Sequence, residues 1–537
     1  MNQYTSACSP SESLKGQCYG GISRRVTKIN EIRSKYNNVI LLDGGDQYQG
    51  SLWFNIFKGR EAALFMNKLK YDAMTFGNHE FDNGVSGLVP FLENITFPIL
   101  SCTLDVSREP RLQGKFNKST ILNVNGQKIG VVGYITAETS FLSNADKTVT
   151  FLPVVEAVRQ EVELMKQQGI KIIIGLGHYG YSNDKKLAAE VDGLDVIVGG
   201  HSHTFLYTGQ KPSNDDPEGP YPTIVQAFGR TVLVTQAFWA GKYLGFVNVT
   251  FNDEGDIESW IGEPILLNSA IAKDPDTEAL LDTMRPRIDA EKKVIVGYSA
   301  VYLEGDRTVC RLQECNLGNL ITDSMVSYHA ARHASNVSWT DMPIAIMNSG
   351  GIRGPISQGN ISKGDVLTTM PFGNTVDVIT IKGKILRAAL EHSVENYDPV
   401  EKPGAFLQVS GLRITYDLCK KPGSRVVSVY TRCGQCLIPS YKPLNDDKNY
   451  TVIALNFIIK GGDGYTVIRD NLINHYEYNS VDSSVFISYL ETHQPIVKGL
   501  EGRITLLADC PISSARRINI NALYIVFSLL FFITKMH

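Results

Sequence analysis

The chain has 537 residues, too many for one compact core, so two domains with terminal appendages are expected. Hydrophobic residues make up 43% and charged residues 20%, which is ordinary for a globular protein. The formal net charge of −3 gives no basic footprint and argues against nucleic-acid binding. A small anionic ligand would therefore need local positive sites, either metal ions or particular arginines.

Residues 1–275 alternate short apolar runs with helical patterns, which predicts an α/β (α+β) domain. Four of the runs are interpreted as strands, at residues 39–42, 72–76, 172–176 and 196–198. Ligands of α/β sheets gather beyond the carboxyl ends of the strands. The polar segment after each run is therefore the first candidate for a site.

A polar motif follows each of these strands: Asp43-Gly44-Gly45-Asp46, Gly77-Asn78-His79-Glu80-Phe81-Asp82, Gly177-His178 and Gly199-Gly200-His201-Ser202-His203. Phosphoester cleavage by two metals needs a carboxylate that bridges cations about 3.5–4 Å apart. Imidazoles and amide oxygens can complete the coordination without cancelling the metal charge. Such a set is present here: Asp46, Asn78, His178 and His201. One motif alone is more often a capped turn, but all four at strand ends favour a metal centre.

The four motifs together resemble those of a known family. The strings GDQYQG (45–50), GNHEFDNG (77–84), GH (177–178) and GGHSHT (199–204) are similar to the calcineurin-like metallophosphoesterase motifs of the 5′-nucleotidases, above all the animal ecto-enzymes. The resemblance spans nearly the whole chain. It implies a four-layer α/β/β/α N-terminal domain with two divalent cations, zinc being expected. Asp46 would bridge the two cations, and the second would be held by Asn78, His178 and His201.

The resemblance also implies roles for two neighbouring side chains. His79 is expected to stabilise charge on the phosphoryl group, and Asp82 is expected to orient His79. A cationic imidazole offsets developing negative charge, so the pair is chemically sensible as a catalytic dyad.

One departure from the family concerns the start of the chain. Members of the family begin with a strand followed by Asp-x-His, which supplies the first metal, and no such motif precedes Asp46 here. Residues 1–5 are polar and begin no signal peptide. We therefore expect the amino end of the protein to be missing. This chain would then hold one metal poorly and could itself be inactive.

Residues 276–294 are charged, with apolar residues at helical spacing, and predict an exposed linker helix between two domains. Residues 295–508 again alternate strands and helices and predict a second α/β domain. Arginines in this part suit phosphate, paired aromatic rings can sandwich a base, and an aspartate can accept from ribose hydroxyls. On the residues alone, however, Phe372 and Phe457 are better read as core and the arginines as helix caps.

The resemblance favours the binding role and makes residues 295–508 the substrate domain. Its implied contacts are Arg311, Asn348 and Arg353 toward phosphate or ribose, Phe372 and Phe457 around the base, and Asp463 on the ribose.

The carboxyl end predicts a GPI-attachment signal over residues 509–537. Residues 522–533 are almost purely apolar, which is shorter than the roughly 20 residues of a membrane-spanning helix. Small residues beginning at Ser513 and a polar spacer precede this tail, as in GPI signals. A short tail anchor or a buried terminal helix is the alternative. A GPI anchor would place the protein on the outer face of the plasma membrane through the secretory pathway.

The cysteines and sequons fit the same compartment. Three close pairs predict disulfide bonds: Cys8 with Cys18, Cys310 with Cys315, and Cys433 with Cys436. A redox or zinc motif is the alternative for Cys433 and Cys436. No partner is evident for Cys102, Cys419 or Cys510. Six N-x-[S/T] sequons begin at Asn94, Asn117, Asn248, Asn336, Asn360 and Asn449.

These features predict an extracellular enzyme that hydrolyses nucleoside 5′-monophosphates such as AMP. A secreted apyrase acting on ATP and ADP is the second interpretation, and an inactive nucleotide-binding protein lacking Asp-x-His is the third. The resemblance further implies a homodimer formed through the C-terminal domain.

Overall fold

A computed structural model describes residues 8, 15–49, 51–143, 145–331, 338–477 and 480–507. The predicted GPI-attachment signal with Ser513, Cys510 and the sequon at Asn336 lie outside these residues. In the described ranges, no helix is long and apolar enough to cross a bilayer.

The described helices and strands alternate along most of the chain. The helices are α1 Ile22–Lys35, α2 Leu52–Phe57, α3 Arg60–Leu69, α4 Gly84–Asn94, α5 Thr139–Leu142, α6 Val154–Gln167, α7 Tyr181–Glu190, α8 Pro275–Lys293, α9 Arg307–Cys310, α10 Asn316–Ala330, α11 Lys363–Thr369, α12 Gly383–Ser393, α13 Asn456–Ile459, α14 Thr466–Arg469 and α15 Asp482–Thr492. The strands are β1 Leu42–Asp43, β2 Ala73–Thr75, β3 Ile99–Leu100, β4 Leu104–Asp105, β5 Ser119–Val124, β6 Gln127–Ile135, β7 Thr150–Phe151, β8 Ile172–His178, β9 Val196–Gly199, β10 Thr223–Ala227, β11 Arg230–Gln236, β12 Tyr243–Leu244, β13 Asn248–Phe251, β14 Ile257–Ile261, β15 Ile265–Leu266, β16 Ile295–Ser299, β17 Ile344–Asn348, β18 Gly359–Ser362, β19 Val376–Lys382, β20 Leu407–Ser410, β21 Leu412–Asp417, β22 Val426–Arg432, β23 Tyr441–Pro443, β24 Asn449–Leu455, β25 Asn474–Tyr476 and β26 Ile504–Leu507.

The N-terminal part has the four layers expected of it. A parallel sheet in the order β1-β2-β3 faces a larger sheet in the order β10-β11-β9-β8-β6-β5. A small core between the sheets contains Ala73, Leu100, Val131 and Leu176. Helices α1, α3 and α4 cover the small sheet through a second core, and α6 and α7 cover the large sheet through a third. Burial of apolar side chains on both faces of each sheet drives this layering.

The strands that lead to the polar motifs are adjacent in these sheets. Strand β1 pairs in parallel with β2, and β8 pairs in parallel with β9, so their carboxyl ends point the same way within each sheet. The strand predicted at 39–42 is shorter in the structure, because β1 covers only Leu42–Asp43. Residues 39–41 are half-buried rather than buried, since they line a cavity next to β1.

Helix α8, at Pro275–Lys293, occupies the position of the predicted linker helix. The Asp274 side chain accepts a hydrogen bond from the Thr277 backbone N–H at 2.8 Å, and Pro275 stands at the first helical position. Both features favour a helix start there. Lys292 and Lys293 lie in the last turn, where positive charge suits the helix dipole.

The C-terminal part is built on a mixed sheet in the order β20-β17-β24-β19-β25. One core packs helices α10 and α15 on one face of this sheet, and another packs α12 and strands β21 and β22 on the other. A second sheet in the order β23-β22-β21-β26 completes this part.

The three predicted disulfide bonds are present: Cys8–Cys18, Cys310–Cys315 and Cys433–Cys436. The last of them excludes the alternative zinc interpretation of that pair. Cys419, for which the sequence made no partner evident, is also disulfide-bonded. Cys102 is a free, buried thiol, as expected for a side chain inside the large-sheet core. The Cys310–Cys315 bridge encloses Arg311.

Candidate functional site

The loop after β1 presents Asp46 through two residues with positive φ. Gly45 has a φ of 86° and Asp46 a φ of 61°. A Cβ at Gly45 would lie 2.4 Å from the Gly77 nitrogen, so only glycine fits between the two loops. The Asp46 Oδ1 atom accepts a hydrogen bond of 2.9 Å from the His79 N–H. The two predicted motifs are therefore in direct contact.

A buried carboxylate that the sequence analysis did not single out, Glu80, joins the same two loops. It accepts hydrogen bonds from four backbone N–H groups, those of Asp46 (2.8 Å), Gln47 (2.7 Å), Tyr48 (3.1 Å) and Gly77 (2.6 Å). Burial raises the pKa of Glu80 to about 7, with a further contribution from Asp46, while the backbone hydrogen bonds act against the rise. Glu80 fixes the position of Asp46 relative to Asn78.

The predicted metal ligands form two close pairs. His178 Nε2 lies 3.0 Å from Asp46 Oδ2, and His201 Nδ1 lies 3.0 Å from Asn78 Oδ1. The rings of His178 and His201 are 5.0 Å apart, centroid to centroid. The structure thus brings all four residues together.

The donor set fits divalent cations. His178 Nδ1 lies 2.6 Å from the Gly44 carbonyl oxygen, which can only accept a hydrogen bond, so Nδ1 carries the hydrogen. In the neutral ring, the Nε2 lone pair then faces the Asp46 carboxylate. Two electron-rich atoms at this separation call for a cation that both can bind. The backbone contact at Nδ1 is the usual second partner of a metal-binding histidine.

The pKa values of the two histidines also favour cation binding by these residues. Burial and the nearby His178 lower the pKa of His201 to about 3, so its imidazole is neutral and able to bind a cation. Burial alone would lower the pKa of His178, but the Asp46 carboxylate outweighs it and raises that pKa to about 9. A bound cation would take the place of that proton.

His203 was missed as a candidate ligand. Its Nδ1 atom is buried and has no hydrogen-bond partner in the part of the chain that the structure describes. The ring stacks on Trp239 at 6.0 Å and borders the cavity that contains Asp46. Burial and then Arg307 hold the pKa of His203 well below its usual value, so it too is neutral. The second histidine of GGHSHT could have signalled it.

His79 and Asp82 form the predicted dyad. His79 Nδ1 lies 2.7 Å from Asp82 Oδ2, and Asp82 Oδ1 accepts a hydrogen bond of 2.6 Å from Ser143. Burial would lower the pKa of His79, but Asp82 and Asp46 outweigh it and raise the pKa. His79 Nε2 and Arg353 Nη2 lie 3.4 Å apart. Two donors facing each other in this way are suited to one anionic oxygen between them.

The predicted nucleotide-binding residues line the same cleft as the metal ligands. A cavity of about 540 Å³ is bordered by Asp46, Asn78, His79, His201, Arg311, Asn348, Arg353, Phe372, Phe457 and Asp463. Phe372 stacks on His79 at 5.8 Å, and Asn348 donates a hydrogen bond of 2.7 Å to Asp463. Phe457 packs against Gly462, where an added Cβ would meet its ring at 2.6 Å. Both aromatic side chains also border the cavity.

A third arginine, Arg307, joins Arg311 and Arg353 in this cleft and was also missed. Arg307 donates a hydrogen bond of 2.7 Å to the Glu401 carbonyl, and Arg311 donates one of 3.0 Å to the Lys402 carbonyl. The Nε atoms of both are buried and lack a partner within the described ranges. Burial and the neighbouring Arg353 lower the pKa of Arg307 to about 10. The spacing of Arg307 and Arg311, four residues apart, was the available signal.

Comparisons with known proteins point the same way. Residues 16–205 match the family model described as calcineurin-like phosphoesterase, and residues 295–470 match the one described as 5′-nucleotidase, C-terminal domain. A 5′-nucleotidase from Diplobatis ommata is 44% identical over 500 residues, covering 92% of this chain and 86% of that protein. The 5′-nucleotidase of Homo sapiens is 43% identical over 495 residues, covering 91% and 86%. The crystal structure of a 5′-nucleotidase precursor from Thermus thermophilus superposes with a TM-score of 0.85 at 39% identity, covering 91% of this chain and 94% of that one.

Proposed function

Because this chain belongs to the 5′-nucleotidase family and is a phosphoric monoester hydrolase, we propose that it converts nucleoside 5′-monophosphates such as AMP to nucleoside and phosphate, using two divalent cations. One observation carries the proposal. Three of the four predicted cation ligands, Asp46, Asn78 and His201, border one cavity together with His79 and the side chains suited to a nucleoside. A substrate bound by its base would therefore place its phosphate at the cations.

Asp46, Asn78, His178 and His201, with His203 added, are the residues that would hold the cations, and zinc suits their mixture of imidazole and oxygen donors. Such cations polarise phosphoryl oxygens and promote ionisation of water at neutral pH. Glu80 keeps Asp46 in place through its backbone hydrogen bonds.

His79 and Arg353 would bind the phosphoryl group from the side opposite the cations. Asp82 and Asp46 favour the protonated form of His79, so its Nε2–H can donate to a phosphoryl oxygen that gains charge in the transition state. Arg353 donates to the same region, since its Nη2 lies 3.4 Å from His79 Nε2. Asp82 accepts from Nδ1 and fixes the ring orientation.

The nucleoside would occupy the C-terminal side of the cleft. Phe372 and Phe457 offer ring faces to the base, and each stacking contact is worth about 1–3 kcal/mol. Asp463 is held by the Asn348 amide at 2.7 Å and keeps acceptor capacity for ribose hydroxyls.

The location is part of the same proposal. The three predicted disulfide bonds and the further one at Cys419 support an oxidising compartment. We propose an extracellular protein attached by a GPI anchor at Ser513, with a homodimer as its assembly. Release from cells by a GPI-specific phospholipase would test the anchor.

The main test adds the family's Asp-x-His motif to the amino end of the chain. A cavity of about 580 Å³ lies beside β1 and borders Asp46. We expect the chain extended at its amino end by a strand carrying Asp-x-His to release phosphate from AMP when zinc is supplied. The matched control carries Ala-x-Ala at the same two positions and should be inactive. The readout is phosphate release with and without a chelator. If the extended chain released no phosphate in the presence of zinc, the proposal would be refuted.

A second candidate, hydrolysis of nucleoside di- and triphosphates, is favoured by Arg307. Its free donors could bind a phosphate beyond the one that reacts. If so, Arg307→Ala lowers kcat/KM for ADP about 10-fold to 100-fold more than for AMP, since a charge-assisted hydrogen bond contributes about 1.5–3 kcal/mol. The exposed Arg469 gives the control Arg469→Ala, which should change neither rate. Equal losses for ADP and AMP would assign Arg307 to the monophosphate site instead.

A further inference from the structure

Three potential metal-binding side chains meet at the edge of the C-terminal mixed sheet. Strand β25 pairs with β19 in antiparallel fashion, with Ile379 opposite His475 and Val378 opposite Tyr476. The same register continued by one residue sets Glu477 opposite Asp377. Side chains directly opposite each other, or two residues apart, lie on one face of a sheet. Asp377, His475 and Glu477 therefore share a face.

Asp377 is a buried carboxylate with an incomplete set of partners. Its side chain is 1% exposed, and its Oδ2 atom lies 3.0 Å from His475 Nε2. Its Oδ1 atom is buried and has no hydrogen-bond partner in the described part of the chain. Burying a carboxylate is costly unless its oxygens are hydrogen-bonded, paired with charge or bound to a metal. Among the described residues, one oxygen of Asp377 thus lacks a partner.

Glu477 adds a second negative charge to this position. One ligand atom from each of Asp377, His475 and Glu477 can be chosen so that all three lie within 4.8 Å of one another. Like charges opposite each other on paired strands are destabilising. A divalent cation would offset the charge of both carboxylates.

We propose that Asp377, His475 and Glu477 bind a divalent cation of the zinc type at a site separate from the catalytic centre. One imidazole and two carboxylates form a donor set that zinc accepts, and three protein ligands leave a fourth position to water. None of the three residues borders the cavity that contains Asp46 or the one that contains Phe372. The evidence for this site does not rest on the proposed catalytic function.

The expected role of the cation is structural. Strand β25 is an edge strand of three residues, and it contacts the sheet through β19. A cation bound by both strands would hold β25 in place. Strand β19 begins at Val376, shortly after Phe372, and the Asn374 carbonyl before it accepts a hydrogen bond of 2.8 Å from the Asp482 N–H. The cation would therefore steady the strand from which the Phe372 loop extends.

The test counts bound zinc in the full chain, prepared without a polyhistidine tag and stripped with a chelator. The parent protein carries His178→Ala and His201→Ala, so that the catalytic centre does not dominate the signal. Added to it are His475→Ala or Glu477→Gln, with His493→Ala at an exposed histidine as the matched control. Asp377 is left intact because it is buried. Zinc is measured by titration calorimetry and by elemental analysis after desalting.

We expect the parent and the His493→Ala control each to retain one equivalent of zinc. The His475→Ala protein should lose this equivalent, and the Glu477→Gln protein should bind it more weakly. Zinc should also slow hydrogen–deuterium exchange at residues 474–477 in the parent, but not in His475→Ala. The proposal fails if the His475→Ala protein keeps its equivalent of zinc or if the parent binds no zinc. It also fails if zinc does not change the rate of hydrogen–deuterium exchange at residues 474–477 in the parent. Because phosphate release is not measured, failure here leaves the proposed catalytic function standing.

Discussion

Replacing Asp46 with asparagine in the Asp-x-His-extended chain is expected to lower kcat for AMP by about 10³-fold or more. The Asp46 carboxylate borders both cavities and contacts His178 at 3.0 Å. Metal-based charge stabilisation is worth several kcal/mol, and about 4 kcal/mol corresponds to a factor of about 10³. Asparagine tolerates the positive φ of residue 46, so the loop should keep its shape while the carboxylate charge proposed to bridge the cations is lost.

The measurement is steady-state phosphate release, with the zinc content of each protein determined in parallel. Asp253 is exposed, and Asp253→Asn serves as the matched control with unchanged rate and metal content. An Asp46→Asn enzyme that kept its full zinc content and more than a tenth of the parent rate would contradict the bridging role.

Glu80→Ala is expected to reduce the free energy of unfolding by at least about 4 kcal/mol. The substitution leaves four backbone N–H groups near Asp46 and Gly77 without their acceptor. A buried donor without a partner costs about 1–3 kcal/mol, and four together exceed what local rearrangement can recover. Denaturant unfolding of the unextended chain measures this effect, so the outcome does not depend on activity.

Glu93→Ala is the matched control for that measurement. Glu93 is 54% exposed and pairs with Lys115 on the surface, where such a pair contributes about 0–1 kcal/mol. Its removal should change stability by no more than that amount. If Glu80→Ala destabilised the protein as little as Glu93→Ala, Glu80 would not be the group that holds the two loops together.

The sequence was sufficient to predict the fold class and the meeting of the four metal motifs, because each motif directly follows an apolar run. Strand ends in a parallel sheet are brought to one edge by the sheet itself, so Asp46 and Asn78 could be placed without coordinates. The apolar run at 39–42 predicted a longer strand than β1, which covers only Leu42–Asp43. Its apolar residues border a cavity, and hydrophobicity alone does not distinguish that position from a fully paired strand.

Residues whose roles depend on long-range contacts could not be predicted in the same way. Three of the four N–H groups that Glu80 accepts from are more than 30 positions away in sequence, and no local pattern encodes those contacts. Arg307 is anchored in the cleft by the Glu401 carbonyl, and its own neighbours in sequence gave only a spacing. His203 stood within a recognised motif, but only the structure shows that its Nδ1 is buried and lacks a partner among the residues described.

If Arg311 binds the nucleotide as proposed, the disulfide bond that encloses it would link substrate affinity to the redox state of the surroundings. Cys310 and Cys315 close a short loop that holds this arginine toward the cleft, far from the cation ligands in sequence. A thiol reductant that opened the loop would loosen the grip on the nucleotide, and KM would rise before turnover fell. On that proposal, full affinity for the nucleotide would require the disulfide bond to stay oxidised.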